Sequence, residues 1–135
     1  MLMKDYFHPQ LNIEDVNGIG MLSLAHVGDG VYELLVRSAL CAEGPHTIQD
    51  LHRATVSLVN ASAQARAVEK LLPLLSEEEA AVYRRGRNAK VHGVPPKASV
   101  AEYHSATGLE SLFGWLYLQG RTDRLSELFA RIMEE

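Results

Sequence analysis

Two acidic residues stand where the ordinary grammar of a helix gives them no role. Asp29 lies between Gly28 and Gly30 in "SLAHVGDGVYELLVR", Ser23 to Arg37, whose Leu24, Val27, Val31, Leu34 and Leu35 recur at helical spacing. Each glycine inside a helix costs roughly 0.8–1.0 kcal/mol relative to alanine. Glu110 lies in "EYHSATGLESLFGWLYLQG", next to the apolar stripe of Leu109, Leu112, Phe113 and Leu116 rather than opposite it, and Gly108 and Gly114 share that helix. Small residues let helix axes approach more closely than the usual distance of about 8–10 Å. Gly28 and Gly30 are therefore expected to allow a close crossing that brings Asp29 towards Glu110. Two such anions repel, and one takes up a proton unless a cation lies between them. Oxygen-only ligands point to a hard ion, Mg²⁺ first and Mn²⁺ second. Water on such an ion can attack a phosphodiester. Glu33, one turn after Asp29, is a candidate further ligand or supporting group. The competing reading makes both acids surface charges or cap partners and gives the glycines to packing; spacing alone leaves both open.

A second feature is the distribution of charge. The net charge is −4, which argues against indiscriminate nucleic-acid binding by the whole surface. Yet Ala80 to Ala101 contains no acid, while Arg84, Arg85, Arg87, Lys90 and Lys97 fall within it. An acidic protein with one basic segment suits a localised phosphate contact, with an ordinary solvated patch as the alternative.

The elements that position these residues read as helices. The first is expected from about Gly20 to Ala42, stopped by Glu43-Gly44-Pro45. Thr47 with Asp50 resembles an N-cap, and one long helix should follow through "LHRATVSLVNASAQARAVEKLL". Ser76 to Glu79 reads as a capping box opening a helix to about Arg87, and Ser99 to Glu102 as a second, opening a helix through Leu118. Between them Asn88 to Ala98 is a loop, with Gly93 and the Pro95-Pro96 pair. A last helix should run from Thr122 to about Met133, and the segment before Gly20 is expected to be irregular. No stretch alternates with period two between hairpin turns. The expected fold is all-α, one domain of five or so helices over 135 residues.

Other features narrow the class. No apolar run approaches the roughly 20 residues of a membrane span, and the N-terminus lacks a signal-peptide layout. The single cysteine, Cys41, excludes an internal disulfide framework and suits a reducing cytoplasm. His52, His92 and His104 are tempting general bases, but lone helical histidines more often serve as surface or hydrogen-bonding residues. Trp115, Tyr117 and Phe113 fit a core or an interface between copies.

The stretch "LAHVGDGVYELLVR" resembles the signature helix of the ribonuclease III endonuclease domain. The similarity continues through "DLHRATVSLVNASAQA", "EEEAAVYRRGRNAKVHGVPPKAS" and "YHSATGLESLFGWLYL", four blocks in the family's order. The pattern is closest to the Mini-ribonuclease III branch, which lacks a separate double-stranded-RNA-binding domain. The resemblance implies a homodimeric, all-helical, Mg²⁺-dependent endoribonuclease acting on double-stranded RNA, with the large-subunit (23S-type) ribosomal RNA precursor as substrate class and ribosomal proteins as candidate helpers. Of the four acids of ribonuclease III proper, two carry over, as Asp29 and Glu110; the other two positions hold Ala25 and Thr107. The family usually has alanine where Gly30 stands. A domain that binds duplex RNA unaided needs its own phosphate and sugar contacts, for which Arg85, Arg87, Asn88, Lys90 and Lys97 are the candidates. Two rivals remain: a catalytically silent RNA-binding module, suggested by the two missing acids, and an all-α nucleotide pyrophosphohydrolase, which normally wants more clustered acids.

Overall fold

A computed structural model describes residues 3–90, 93 and 99–134. Seven α-helices and no strand occur among them: α1 (Ile13–Asn17), α2 (Met21–Ala42), α3 (Ile48–Val59), α4 (Ala61–Leu71), α5 (Glu77–Arg87), α6 (Val100–Leu118) and α7 (Thr122–Met133), with a 3₁₀ turn at Leu72–Leu74. None is long and apolar enough to cross a membrane.

The expected polar caps set most of the helix starts. Thr47 accepts from the Asp50 N–H at 3.1 Å, and Ser76 and Glu79 form the full capping box. The second box is only half formed. Ser99 accepts from the Glu102 N–H at 3.1 Å, but the Glu102 carboxylate takes the Ser99 hydroxyl rather than its backbone N–H. Two expectations are corrected outright. The long helix is broken at Asn60, whose backbone is extended (φ −70°, ψ 162°). Its Oδ1 accepts from the Ala63 N–H at 2.8 Å while its Nδ2 donates to the Val56 carbonyl at 3.1 Å. One asparagine thus caps both helices, which the uninterrupted apolar pattern conceals. The segment before Gly20 is not wholly irregular either. It carries α1, started by Asn12, which accepts from the Asp15 N–H at 2.8 Å. Val16 is fully buried there, and Trp115 Nε1 donates to Asn17 Oδ1 at 3.0 Å. Five residues are too few for periodicity, and packing makes this helix.

Helix α6 is the axle, with α2, α4, α5 and α7 packed around it. Leu109, Leu112, Phe113, Trp115 and Leu116 are each at most 1% exposed. Glycines set its two tightest crossings. A Cβ on Gly28 would lie 1.7 Å from the Glu110 carbonyl oxygen, and one on Gly114 would lie 2.0 Å from that of Leu24. On the α5 side, a Cβ on Gly86 would meet Ser111, and one on Gly108 would meet Tyr83. Gly30 does not share this task, contrary to expectation: it is exposed, with nothing within 4 Å of an added Cβ. The fold also buries one charge. Glu79 is about 1% exposed, and Arg124 of α7 donates to both its oxygens at 2.8 Å, with Arg121 at 4.0 Å. That clamp ties α7 to the start of α5 and holds the Glu79 carboxyl below the usual carboxylate range.

Candidate active site

The α2–α6 crossing carries the two acids to one place. Gly28 lies on the Glu110 backbone, and the next residue, Asp29, stands close enough for its charge to act on the Glu110 carboxyl. Asp29 is exposed while Glu110 is mostly covered, so the pair sits at the edge of the core. Burial, then the charge of Asp29, pushes the Glu110 carboxyl well above the usual carboxylate range. In the absence of a cation the Glu110 carboxyl is therefore pushed towards keeping its proton. A divalent cation removes the reason for that proton, and one or two carboxylates with the remaining positions left to water is the ordinary coordination of Mg²⁺. The donor set fits such an ion.

Among the described residues no third Asp, Glu, His or Cys joins the pair. Glu33 is not a partner: it turns outward to Arg37, 3.6 Å away. Ala25 and Thr107, one turn before Asp29 and Glu110, are both buried, and the Thr107 hydroxyl donates to the Tyr103 carbonyl at 3.1 Å. Neither can supply an anionic ligand.

Two neighbours of the pair carried no signal in the sequence. Gln64 of α4 is 2% exposed and its Nε2 donates to Glu110 Oε2 at 3.3 Å. Tyr32, one turn after Asp29, is also buried, and burial followed by the field of Glu110 raises its phenol to about 12. Neither is visible from spacing, because Gln64 is 46 residues from Glu110 and Tyr32 reads as a core aromatic. A cleft of about 610 Å³ opens beside Glu110, lined by Asn60, Ser62, Gln64, Arg66, Tyr103 and Thr107 among others.

The basic candidates lie at the far end of α5. Arg85, Asn88 and Lys90 are exposed. Arg87 stands over the Tyr83 ring, 5.6 Å from its centroid, and its Nε donates to Asn88 Oδ1 at 3.3 Å. Of the acids at the start of α5, Glu79 is held by Arg124 of α7 rather than by these arginines. Lys97, His92 and the Pro95-Pro96 pair lie outside the described residues. His52 lines a groove with Arg37 and Cys41 that includes neither Asp29 nor Glu110, and His104 borders a shallow cleft with Arg87, Asn88 and Ser105. Neither histidine reaches the pair.

The Ribonuclease III domain model matches residues 22–121, a span that contains both crossings of α6. Among curated proteins the chain is 50% identical to the Mini-ribonuclease 3 of Symbiobacterium thermophilum, over 79% of this chain and 82% of that one. It is 42% identical to the Mini-ribonuclease 3 of a Thermoanaerobacter species, over 93% and 90%. Among solved structures, a crystal structure of a Fusobacterium nucleatum protein superposes with a TM-score of 0.80 at 28% identity, covering 86% of this chain and 94% of that one. With an all-helical fold, a Gly-Asp helix crossing a Glu-bearing helix, and this degree of likeness over most of its length, the chain belongs to the Mini-ribonuclease 3 branch of the ribonuclease III family and is an endoribonuclease of that type.

Proposed function

We propose that this protein is a Mg²⁺-dependent endonuclease for double-stranded RNA that acts as a homodimer in the cytoplasm and matures the large-subunit (23S-type) ribosomal RNA precursor, with ribosomal proteins as candidate helpers. The observation that carries the reading is the Asp29–Glu110 pair, two acidic residues that the close α2–α6 crossing at Gly28 brings to one place. Their oxygens would hold the ion; Mn²⁺, also satisfied by oxygen ligands, is the natural substitute. When bound, the ion supplies an acidified water and neutralises charge on the departing oxygen.

The rest of the work belongs to side chains of this chain. Exposed Arg85 and Lys90, with Lys97, neutralise phosphates along the duplex; Arg87, steadied over Tyr83, does the same, and the Asn88 amide bonds a sugar hydroxyl. An apolar groove lined by Val27, Gly30, Val31, Leu34, Leu35 and Tyr117 suits a second copy, and Leu34 is 59% exposed. A two-fold dimer has two cutting sites, one for each strand. The whole chain is read as one catalytic domain.

A silent RNA-binding module is the outcome the test must exclude, since Ala25 and Thr107 stand in place of acids. Nothing comparable favours a pyrophosphohydrolase, since the acids do not cluster beyond the pair among the described residues. The test incubates a labelled RNA duplex with the protein and Mg²⁺ at low salt, beside chelator and the Asp29→Asn and Glu110→Gln variants. Paired cuts lost in all three controls are expected. Tight binding without cutting of either a plain duplex or the ribosomal precursor would replace the nuclease by the silent module. Removing Arg85 or Lys90 should lower the salt dependence of binding by about one unit of log–log slope per lost phosphate contact.

A further inference from the structure

Gln64 is placed more exactingly than packing requires. Its Nε2 has two acceptors: the Val59 carbonyl at 3.0 Å and Glu110 Oε2 at 3.3 Å. The first bond is a consequence of the α3–α4 break. Val59 ends α3, and the N–H that would have continued the helix, that of Ala63, is taken by Asn60 Oδ1. The Val59 carbonyl is an orphan of the helix end, and Gln64 satisfies it. That anchor also fixes which way the amide faces, because a flipped amide would set its oxygen against two acceptors.

The second bond has no such structural use. Glu110 is mostly covered but borders an open cleft, so its carboxyl is not sealed from water. Meanwhile the Gln64 oxygen, Oε1, is buried without a partner among the described residues. An unmet buried acceptor costs about 1–3 kcal/mol. The side chain carries that cost and delivers one thing to the acidic pair: a neutral donor, held at its far side by a helix end, that fixes one oxygen of Glu110 without adding a third charge.

We propose that Gln64 is a positioning residue for the metal-holding carboxylate of Glu110. It sets the orientation of that carboxylate beside Asp29 before the cation arrives, so that the ion meets a formed site rather than a rotating side chain. The inference rests on the reading of Asp29 and Glu110 as the pair that holds the ion. Partners of this kind, one step out from a metal, typically change its affinity roughly 10–100-fold when removed.

The experiment compares Mn²⁺ binding by the full-length wild type and Gln64→Met, followed by electron paramagnetic resonance and by calorimetry. Methionine keeps the length of the side chain and removes the donor. The variant is expected to keep its far-UV circular dichroism and to bind Mn²⁺ about tenfold more weakly or worse. RNA cleavage at limiting Mn²⁺ should show a reduced kcat that recovers with excess metal, and an unchanged KM for RNA. A folded variant that binds Mn²⁺ as tightly as the wild type overturns the inference alone. A wild type that binds no Mn²⁺ overturns the metal reading and the inference with it. Should Gln64→Met fail to fold, the wild type still decides. The Gln64 side-chain amide signals in a ¹⁵N spectrum should shift with Mg²⁺ at the midpoint of Mg²⁺ binding, and unmoved signals overturn the proposal.

Discussion

Gly28 and Gly30 flank the same aspartate, yet alanine at the two positions should act in opposite directions. At Gly30 an added Cβ meets nothing within 4 Å, so Gly30→Ala should gain the helix-propensity difference of roughly 0.8–1.0 kcal/mol. At Gly28 the same gain is available, but the Cβ would stand 1.7 Å from the Glu110 carbonyl oxygen and 2.8 Å from the Gly114 nitrogen, where 3.0 Å is the practical floor. These are backbone atoms of the central helix and cannot swing aside. The axes of α2 and α6 must part by more than an ångström, opening an interface that includes Leu24, Tyr32, Leu109 and Phe113. Overpacking of this kind usually costs about 1–3 kcal/mol, and backbone against backbone belongs at the top of that range or above it. The net for Gly28→Ala is a loss of about 2 kcal/mol or more after the propensity gain. At roughly 3–4 °C per kcal/mol for a domain of this size, Tm should fall by about 6–8 °C, while Gly30→Ala should raise it by about 3 °C. Thermal unfolding of both variants in one metal-free buffer measures the difference directly. RNA cleavage should fall with Gly28→Ala, because the displaced backbone is that of Glu110 itself. A Gly28→Ala protein that melts at or above the wild type would refute the close-crossing argument.

Two further outcomes concern charge. Glu110 has a folded pKa raised above its unfolded value, so the stability it contributes is present in acid and is lost as pH rises through the folded value. Glu110→Gln escapes that loss. In metal-free buffer its advantage over the wild type should therefore grow from about pH 5 upward to on the order of 1–2 kcal/mol, after allowing for water at the edge of the site. Denaturant melts across that range, repeated with Mg²⁺ to close the gap, make the measurement; a pH-independent difference would contradict it. Glu79 has the opposite sign, its carboxyl being held low chiefly by Arg124, so its contribution is present above the ordinary carboxylate range and is lost in acid. Arg124→Met leaves that carboxylate buried beside the more distant Arg121 and should cost about 3 kcal/mol near neutral pH. The penalty should shrink as pH falls through the carboxylate range, read by denaturant unfolding at several pH values.

Much of this protein is legible in its residues alone. Local rules acting over three or four residues placed the starts of α3, α5 and α6, because Thr47, Ser76 and Ser99 each cap the third residue on. The apolar stripe of α6 is buried as its spacing implies, and Gly28, though not Gly30, makes the expected close crossing. Where local rules misled, a competing local or tertiary contact had won. Asn60 reads as one polar residue within a helix but serves as a double cap. The five residues of α1 exist because Val16 enters the core and Asn17 meets Trp115.

The division between the two sources of information follows range. Helix type, most boundaries, the presence of Asp29 and Glu110 and the lack of acids at positions 25 and 107 are properties of neighbouring residues, and sequence alone determines them. Which glycine makes the crossing is a question of which face of α2 meets α6, and only the packed structure separates Gly28 from Gly30. The same holds for Glu33, whose spacing suits the pair but whose side chain turns to Arg37. It holds most for Gln64, brought to Glu110 across 46 residues by a helix break and the packing of α4 on α6. Hydrogen bonds and charge coupling act through ångströms of space, and chain distance carries no record of them until the core has closed.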